Sequence, residues 1–354
     1  MSRFMSNKYA DLKPYTPGEQ PKGRQYIKLN TNESPFPPSP LAQKYANEQV
    51  SQLELYSDPC CTALTEKAAQ VLGIETDEIL FTNGSDDALN FAFMAFCDRE
   101  HPAIFPDISY GFYKVFAQLN QIPYHEIPLK EDFTIDIQDY CNAPGTVFIA
   151  NPNAPTGLCL NLGEIETILK SNPDRVVVID EAYVDFGGES ALPLIHKYAN
   201  LLVVQTFSKS RSMAGARLGF AAGCKELIAD LNTLKFSTNP YNVNRMTMAA
   251  GVGSLEDQQY FRSCVDRVKQ CRQWTRQQLD QLGMTTLDSS TNFVFTKHSA
   301  VPGKVLYTKL RDRGILIRHF DTPRLTDFIR VTIGDEQQMA AFITAMKEIL
   351  EETV

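Results

Sequence analysis

Short runs of apolar residues alternate along the middle of the chain with longer stretches in which apolar positions follow helical spacing. Such alternation is typical of parallel strands joined by helical crossovers, the α/β class. The apolar runs predict strands at residues 78–82, 103–105, 146–150, 175–179, 201–206 and 219–222. Between two of them, the segment DDALNFAFMAFC is apolar on all sides and predicts a buried helix.

The pattern changes after about residue 254. A long helical stretch runs to residue 282, and strands are expected at residues 292–296 and 328–332. A final helix then carries one apolar stripe, formed by Met339, Phe342, Ile343, Met346, Ile349 and Leu350. We therefore expect a second, smaller α+β domain.

Composition narrows the classes of partner. The 354 residues include 34 Lys and Arg against 42 Asp and Glu, a net charge of −8. An acidic chain has no general electrostatic attraction for nucleic acid or anionic membranes, so we expect small-molecule partners.

Eight cysteines without a C-x-x-C pair indicate free thiols and no metal site. With no apolar run long enough to span a bilayer, we expect the protein in the cytoplasm.

Four polar groups follow predicted strands, where ligands bind in open parallel sheets. The segment NGSD, from Asn83, opens a helix and suits phosphate, although a helix cap at Ser85 or Asp86 is the commoner explanation. The segment NPNAPTGLCL taken alone is a turn signal. Asp180 ends the apolar strand of VVVIDEAYVDF, and a helix cap explains it about equally well.

The fourth group contains Ser208, Lys209 and Arg217. A lysine amine at a strand end near other cations can lose its proton near neutral pH and attack a carbonyl carbon. Pyridoxal phosphate requires this combination of groups from a protein: a lysine for its aldehyde, an aspartate for its ring nitrogen and a helix start for its phosphate.

The motifs NGS, NPNAPTG, DEAY and SKSRSMAGARLG occur along the chain in this order. In this they resemble the fold-type-I pyridoxal-phosphate aminotransferases. The segments KLNTNESPFPPSP, LYSDPCCTALTEKAAQVLG and GILIRHFD extend the resemblance over nearly the whole chain and are most similar to the histidinol-phosphate aminotransferase family. The resemblance implies a mostly parallel seven-stranded sheet in a large cofactor-binding domain, residues 29–253. A small domain would combine residues 1–28 and 254–354.

The resemblance also implies roles for individual residues. Lys209 would form the Schiff base with the cofactor and move protons, Asp180 would hold the ring nitrogen, and Tyr183 would donate to the ring oxygen. Tyr110 would stack on the ring. The phosphate would be held by Ser85, Asp86, Thr206, Ser208, Arg217 and, from the facing subunit of a homodimer, Tyr56.

Substrate residues follow from the same resemblance. Arg330 matches an arginine for the α-carboxylate of glutamate, and Arg318 matches one for the distal phosphate or carboxylate. Tyr15 and Asn32 match pocket positions. For either arginine considered singly, a surface ion pair is the commoner explanation.

The chain departs from the family at Ala154, where an asparagine usually precedes PTG and contacts the ring oxygen. Either Asn153 substitutes for it or Tyr183 serves the oxygen alone.

The expected reaction is transamination between L-histidinol phosphate and 2-oxoglutarate in histidine biosynthesis, giving imidazole acetol phosphate and L-glutamate. A threonine-phosphate decarboxylase or an aromatic aminotransferase shares the fold and the lysine. A non-catalytic regulator that binds pyridoxal phosphate is the alternative from another class. A dehydrogenase is disfavoured, because no G-x-G-x-x-G follows a predicted strand.

Overall fold

The computed structural model describes residues 2–9, 12–20, 23 and 25–353. Strands within these ranges are β1 (Ile27–Lys28), β2 (Ile79–Thr82), β3 (Ala103–Pro106), β4 (Tyr124–Ile127), β5 (Thr146–Ala150), β6 (Val177–Asp180), β7 (Leu201–Thr206), β8 (Gly219–Gly223), β9 (Met284–Thr286), β10 (Phe293–His298), β11 (Ile315–Leu316), β12 (Arg318–His319) and β13 (Phe328–Thr332). The α-helices are α1 (Pro40–Glu48), α2 (Thr62–Leu72), α3 (Ser85–Phe96), α4 (Phe112–Leu119), α5 (Leu162–Ser171), α6 (Lys225–Thr238), α7 (Arg245–Glu256), α8 (Gln258–Gln281), α9 (Gly303–Asp312) and α10 (Glu336–Thr353).

Seven strands form the central sheet in the order β2-β8-β7-β6-β5-β3-β4. Strands β4, β3, β5, β6 and β7 run parallel, and the apolar strands β5 and β6 are buried along their whole length. Helices cover both faces of such a sheet, which explains why these strands are apolar on both sides. The expected mostly parallel α/β sheet is confirmed.

Two details of this sheet differ from the sequence expectation. Strand β8 is antiparallel to both of its neighbours, because residues 207–218 between β7 and β8 contain only a short 3-10 turn and no crossover helix. The apolar runs predict no strand at β4, the seventh strand of the sheet. It lies at the sheet edge, and His125 and Glu126 in its middle are exposed, so it lacks an apolar run.

The second sheet is antiparallel, with the order β12-β13-β10-β9. Next to it, β1 pairs in parallel with β11, so the N-terminal segment joins the C-terminal part of the chain. The expected stripe of α10 is buried in the core of this part, where Met339, Phe342 and Met346 are fully enclosed.

The carboxyl ends of the parallel strands lie side by side. Ala150 of β5 is in register with Asp180 of β6, and Asp180 is in register with Val204 of β7. The loops that follow these strands therefore share one edge of the sheet. In the described part of the chain no helix is long and apolar enough to cross a membrane, and all eight cysteines are free thiols.

Candidate active site

The edge formed by β5, β6 and β7 opens into a cavity next to the start of α3. Nine of the eleven residues expected to bind the cofactor line it: Ser85, Asp86, Tyr110, Asp180, Tyr183, Thr206, Ser208, Lys209 and Arg217. Asn153 and Tyr56 do not. The motifs are far apart in the chain, so the fold brings them together.

One end of the cavity is formed by the first turn of α3. The helix begins after Gly84, whose φ of 82° lies in the left-handed region, and no side chain caps it. The alternative of a cap at Ser85 or Asp86 is therefore not realised. A Cβ atom at Gly219 would lie 2.4 Å from the Ser85 nitrogen, so glycine is needed where β8 meets this helix start. Uncapped N–H groups and the positive end of the helix dipole favour an anion here.

Further anion-binding groups surround this helix start. Arg217 packs against Gly84, where an added Cβ would lie 2.5 Å from its Nη2 atom. The Ser208 hydroxyl oxygen is buried and has no hydrogen-bond partner among the described residues. A buried hydroxyl without a partner is costly, and a phosphate oxygen would satisfy it.

Asp86 links two of the expected cofactor residues. Its carboxylate accepts a 2.6 Å hydrogen bond from the Tyr110 hydroxyl and a 2.9 Å hydrogen bond from Arg217 Nη2. Burial raises the pKa of Tyr110 well above its usual value, so this phenol remains a donor. Asp86 thus fixes both the ring of Tyr110 and the guanidinium of Arg217.

Asp180 is buried at the end of β6. The Tyr113 hydroxyl donates to its Oδ2 atom at 2.9 Å, and the Ala182 nitrogen donates to Oδ1 at 3.2 Å. Burial raises the pKa of Asp180 to about 6, although the bond from Tyr113 opposes the shift. A buried carboxylate without a bonded cation suits a protonated ring nitrogen.

Sequence reasoning missed Tyr113. The only signal was its position three residues after Tyr110. Tyr113 lies in the first turn of α4 and Tyr110 just before that helix, and the two rings meet edge to face at 5.7 Å.

Lys209 lines the cavity close to Thr31 and Tyr183. Its Nζ atom is 3.4 Å from the Thr31 carbonyl oxygen and 5.7 Å from the centre of the Tyr183 ring. The Tyr183 hydroxyl accepts a 2.9 Å hydrogen bond from Asn32 Nδ2, and Asn32 Oδ1 in turn accepts one from Thr332. The N-terminal segment and β13 therefore fix the tyrosine beside the lysine.

A second cavity continues from the first and shares Tyr110, Ala154, Tyr183 and Lys209 with it. All four expected substrate residues line this second cavity: Tyr15, Asn32, Arg318 and Arg330. We refer to it as the substrate cavity.

Neither Arg318 nor Arg330 forms an ion pair with a carboxylate of the described residues, so the alternative of a surface ion pair is not realised. Arg330 lies 5.2 Å above the Phe293 ring and donates to the Asn30 carbonyl at 3.2 Å, while its Nε atom is buried without a partner. Arg318 faces the Phe320 ring at 5.6 Å and the Thr16 and Pro17 carbonyls. Both guanidinium groups are free to bind an anion.

Asn153 has another role in this structure. Its amide nitrogen donates to the Ile108 carbonyl and to Thr156, and its oxygen accepts from Ser109, so the side chain stabilises the loop before Tyr110. The expectation that Asn153 replaces the missing asparagine has no support in this geometry. Tyr56 is 80% exposed and stacks on Tyr241, outside the cavity of its own chain.

The chain is similar to known proteins over nearly its whole length. Residues 24–346 match the family model described as aminotransferase class I and II. The chain is 48% identical over 353 residues to a histidinol-phosphate aminotransferase of Brachyspira hyodysenteriae, covering 99% of this chain and 100% of that protein.

Two solved structures share the fold. The histidinol-phosphate aminotransferase of Sinorhizobium meliloti, in complex with pyridoxal-5'-phosphate, has a TM-score of 0.85 at 23% identity over 94% of this chain and 93% of that chain. The L-threonine-O-3-phosphate decarboxylase of Porphyromonas gingivalis has a TM-score of 0.80 at 22% identity over 92% and 99%. The fold alone therefore does not distinguish these two reactions.

Proposed function

The chain belongs to the class I and II aminotransferases, and from this we propose that it exchanges an amino group between L-histidinol phosphate and 2-oxoglutarate. The observation that carries the proposal is the continuity of two cavities at Lys209. One cavity has the groups for a phosphorylated aromatic cofactor, and the other has two arginines that pair with no carboxylate in the described part of the chain.

The cofactor of this family is pyridoxal phosphate, which supplies an aldehyde and a ring that takes up electrons released at the substrate Cα. The chain's own groups fit it. The uncapped start of α3, the Ser208 hydroxyl and Arg217 would hold the phosphate. The buried Asp180 would accept a hydrogen bond from the ring nitrogen, and the Tyr183 hydroxyl would donate to the ring oxygen.

Lys209 would supply the amine that attaches the cofactor, would be released when the substrate amine takes its place, and would then carry the proton from the substrate Cα to the cofactor's C4′ carbon. Arg330 and Arg318 orient the substrate through its anions, the two carboxylates of glutamate or the phosphate of the amino donor. Arginine suits this task because its planar fork binds carboxylate or phosphate through two parallel hydrogen bonds.

Two reactions of the same fold remain as alternatives, namely decarboxylation of threonine phosphate and transamination of phenylalanine or tyrosine. Similarity at 48% identity over the whole chain favours histidinol phosphate. The test supplies purified holoenzyme and 2-oxoglutarate separately with histidinol phosphate, threonine phosphate and phenylalanine, and measures glutamate formation and CO₂ release. Glutamate from histidinol phosphate supports the proposal, and CO₂ from threonine phosphate contradicts it. A protein that binds the cofactor but reacts with none of the three is the regulator.

The active unit is a homodimer in which Tyr56 reaches the phosphate of the facing subunit. Its exposure, together with the exposed Val50, Leu53 and Leu55 beside it, supports this arrangement because such a patch usually marks an interface. Co-expression of Lys209→Ala and Tyr56→Ala chains tests it. If Tyr56 serves the facing site, each hybrid dimer has one intact site and regains activity; if Tyr56 serves its own chain, no intact site exists.

The large domain comprises residues 29–253, and the small domain comprises residues 1–28 and 254–354. Two apolar cores support a division of this kind, with Leu255 packed in the core of the large part and Leu29 and Phe186 packed in the core of the small part. Hydrogen exchange tests the division, because each part should exchange as one cooperative unit; residues 253 and 254 themselves are buried within α7 and are not accessible to a protease. Eight free thiols support a location in the reducing cytoplasm, which fractionation of cells would test.

A further inference from the structure

Among the described residues that line the substrate cavity, Asp107 is the one carboxylate. The same cavity has Arg318, Arg324, Arg330 and Lys209 in its walls. Four cationic side chains favour anions, and a carboxylate among them weakens that attraction. Its presence therefore calls for a specific reason.

The two oxygens of Asp107 have different surroundings. Asp107 follows β3 at the carboxyl edge of the sheet, three residues before Tyr110. Its Oδ1 atom accepts a 2.9 Å hydrogen bond from the Leu129 nitrogen. Its Oδ2 atom lies 3.7 Å from Arg324 Nη1, which is beyond hydrogen-bond distance, and accepts no hydrogen bond from the described residues. One carboxylate oxygen is thus free to accept a hydrogen bond.

Arg324 is held in place by other groups. Its Nη1 atom donates to the Leu129 carbonyl at 3.0 Å, its Nη2 atom donates to the Lys130 carbonyl, and its guanidinium lies 5.1 Å above the Phe133 ring. The backbone of Arg324 has a φ of 67°, in the left-handed region that favours glycine. Backbone strain of this kind is concentrated at functional sites.

The proposed amino donor presents a group that arginines cannot serve. Its imidazole ring carries an N–H donor, and a guanidinium has donors only. Near neutral pH part of the imidazole is protonated, which makes a carboxylate partner more favourable still. Glutamate, the other substrate, has no such ring and needs only the arginines.

On the basis of the proposed function, we propose that Asp107 Oδ2 accepts a hydrogen bond from the imidazole N–H of the amino donor. Arg324 is the positioning residue: its Nη1 atom lies 3.7 Å from Oδ2 and donates to the carbonyl of Leu129, the residue whose nitrogen binds Oδ1. The pair would therefore select an imidazole side chain over an aromatic ring of similar size that has no N–H.

The test compares three substrates in single half-reactions of the holoenzyme: histidinol phosphate, its phenyl analogue 2-amino-3-phenylpropyl phosphate, and glutamate. Asp107→Asn should lower kcat/KM for histidinol phosphate about 10- to 100-fold and change the other two by about twofold or less, as expected for loss of a charge-assisted hydrogen bond. An equal fall for all three substrates, or no fall at all, overturns the proposal.

Asp321→Asn is the matched control. Asp321 Oδ1 also lies 3.7 Å from a cation, Lys304 Nζ, but Asp321 does not line the cavity. This variant should behave as the unsubstituted protein does. Arg324→Gln should raise KM for histidinol phosphate more than it lowers kcat, because Arg324 acts through Asp107.

A second measurement needs no variant. The unsubstituted protein should react at least about tenfold faster with histidinol phosphate than with the phenyl analogue, and equal rates overturn the proposal. If the unsubstituted protein does not react with histidinol phosphate, the proposed function fails and this site with it. If it reacts but Asp107→Asn keeps the same preference, only the site fails.

Discussion

Tyr113 donates a 2.9 Å hydrogen bond to Oδ2 of Asp180, and both side chains are buried. Tyr113 belongs to α4 and Asp180 ends β6, so the bond joins a helix over the sheet to the sheet edge. It is the one side-chain hydrogen bond that Asp180 accepts from the described residues. Tyr113 therefore orients the carboxylate that would hold the cofactor's ring nitrogen.

Tyr113→Phe should weaken cofactor binding about 10- to 100-fold, because a hydrogen bond to a charged group contributes roughly 1.5–3 kcal/mol and 1.4 kcal/mol is a factor of ten. Equilibrium titration of the apoenzyme with pyridoxal phosphate measures this. Tyr140→Phe is the control, since Tyr140 is equally buried but its hydroxyl has no partner among the described residues. Equal affinities of both variants would show that the bond to Asp180 is unimportant.

Gly219→Ala should damage the phosphate end of the cofactor cavity. The added methyl group would lie 2.4 Å from the Ser85 nitrogen and 2.6 Å from the Gly84 carbonyl carbon. Overpacking of this kind costs about 1–3 kcal/mol, so both the melting temperature and the cofactor affinity should fall. Gly215→Ala, where no heavy atom lies within 4 Å of the new methyl group, should leave both unchanged. Unaltered cofactor affinity in Gly219→Ala would argue against this helix start as the phosphate site.

Arg330→Gln should raise KM for 2-oxoglutarate by about 100-fold, the loss expected for a bidentate charge-assisted contact. Stability should not fall, because burial already lowers the pKa of Arg330 and no described carboxylate neutralises it. Steady-state kinetics and urea unfolding measure the two effects. Arg267→Gln is the control, since Arg267 pairs with Glu336 and lies over the Phe36 ring but lines neither cavity. A large loss of stability with unchanged KM would mean that Arg330 is structural.

The elements that sequence reasoning found have local signals. Strands β5 and β7 were predicted at their observed ends because each contains a run of four apolar residues, VFIA in β5 and LLVV in β7, and Lys209 stands out as a charge soon after such a run. The missed features depend on distant residues. Tyr113 and Asp180 are 67 positions apart, and Asn153 is engaged by Ser109 and Ile108 of another loop. No local pattern reveals such partners. The reversed direction of β8 does have a local sign, the short connection at residues 207–218 without a crossover helix.

Glu181→Gln should remove much of the pH dependence of stability. Burial raises the pKa of Glu181 from an ordinary 4.5 to about 7, although Ser190, Ala191 and Gln205 donate to it. A raised carboxyl pKa gives stability that is complete below pH 4.5 and is lost as the pH rises through 7. The loss should be about 3 kcal/mol, from 1.36 kcal/mol per pH unit.

Urea unfolding of the holoenzyme at pH 5 and pH 8 measures this dependence. The unsubstituted protein should lose stability between the two values, and Glu181→Gln should lose clearly less. Glu189→Gln, at an exposed position nearby, should retain the full loss. Identical pH profiles for all three proteins would show that Glu181 ionises without cost.

The most direct test of the account is one half-reaction followed by absorption spectroscopy. Purified holoenzyme is mixed with histidinol phosphate without any 2-oxo acid, and the visible band of the bound cofactor is recorded. The account predicts that the band of the lysine-bound form disappears, that 2-oxoglutarate restores it with release of glutamate, and that Lys209→Ala shows neither change. A band that is unaffected by histidinol phosphate but is converted by another amine would contradict the proposed substrate.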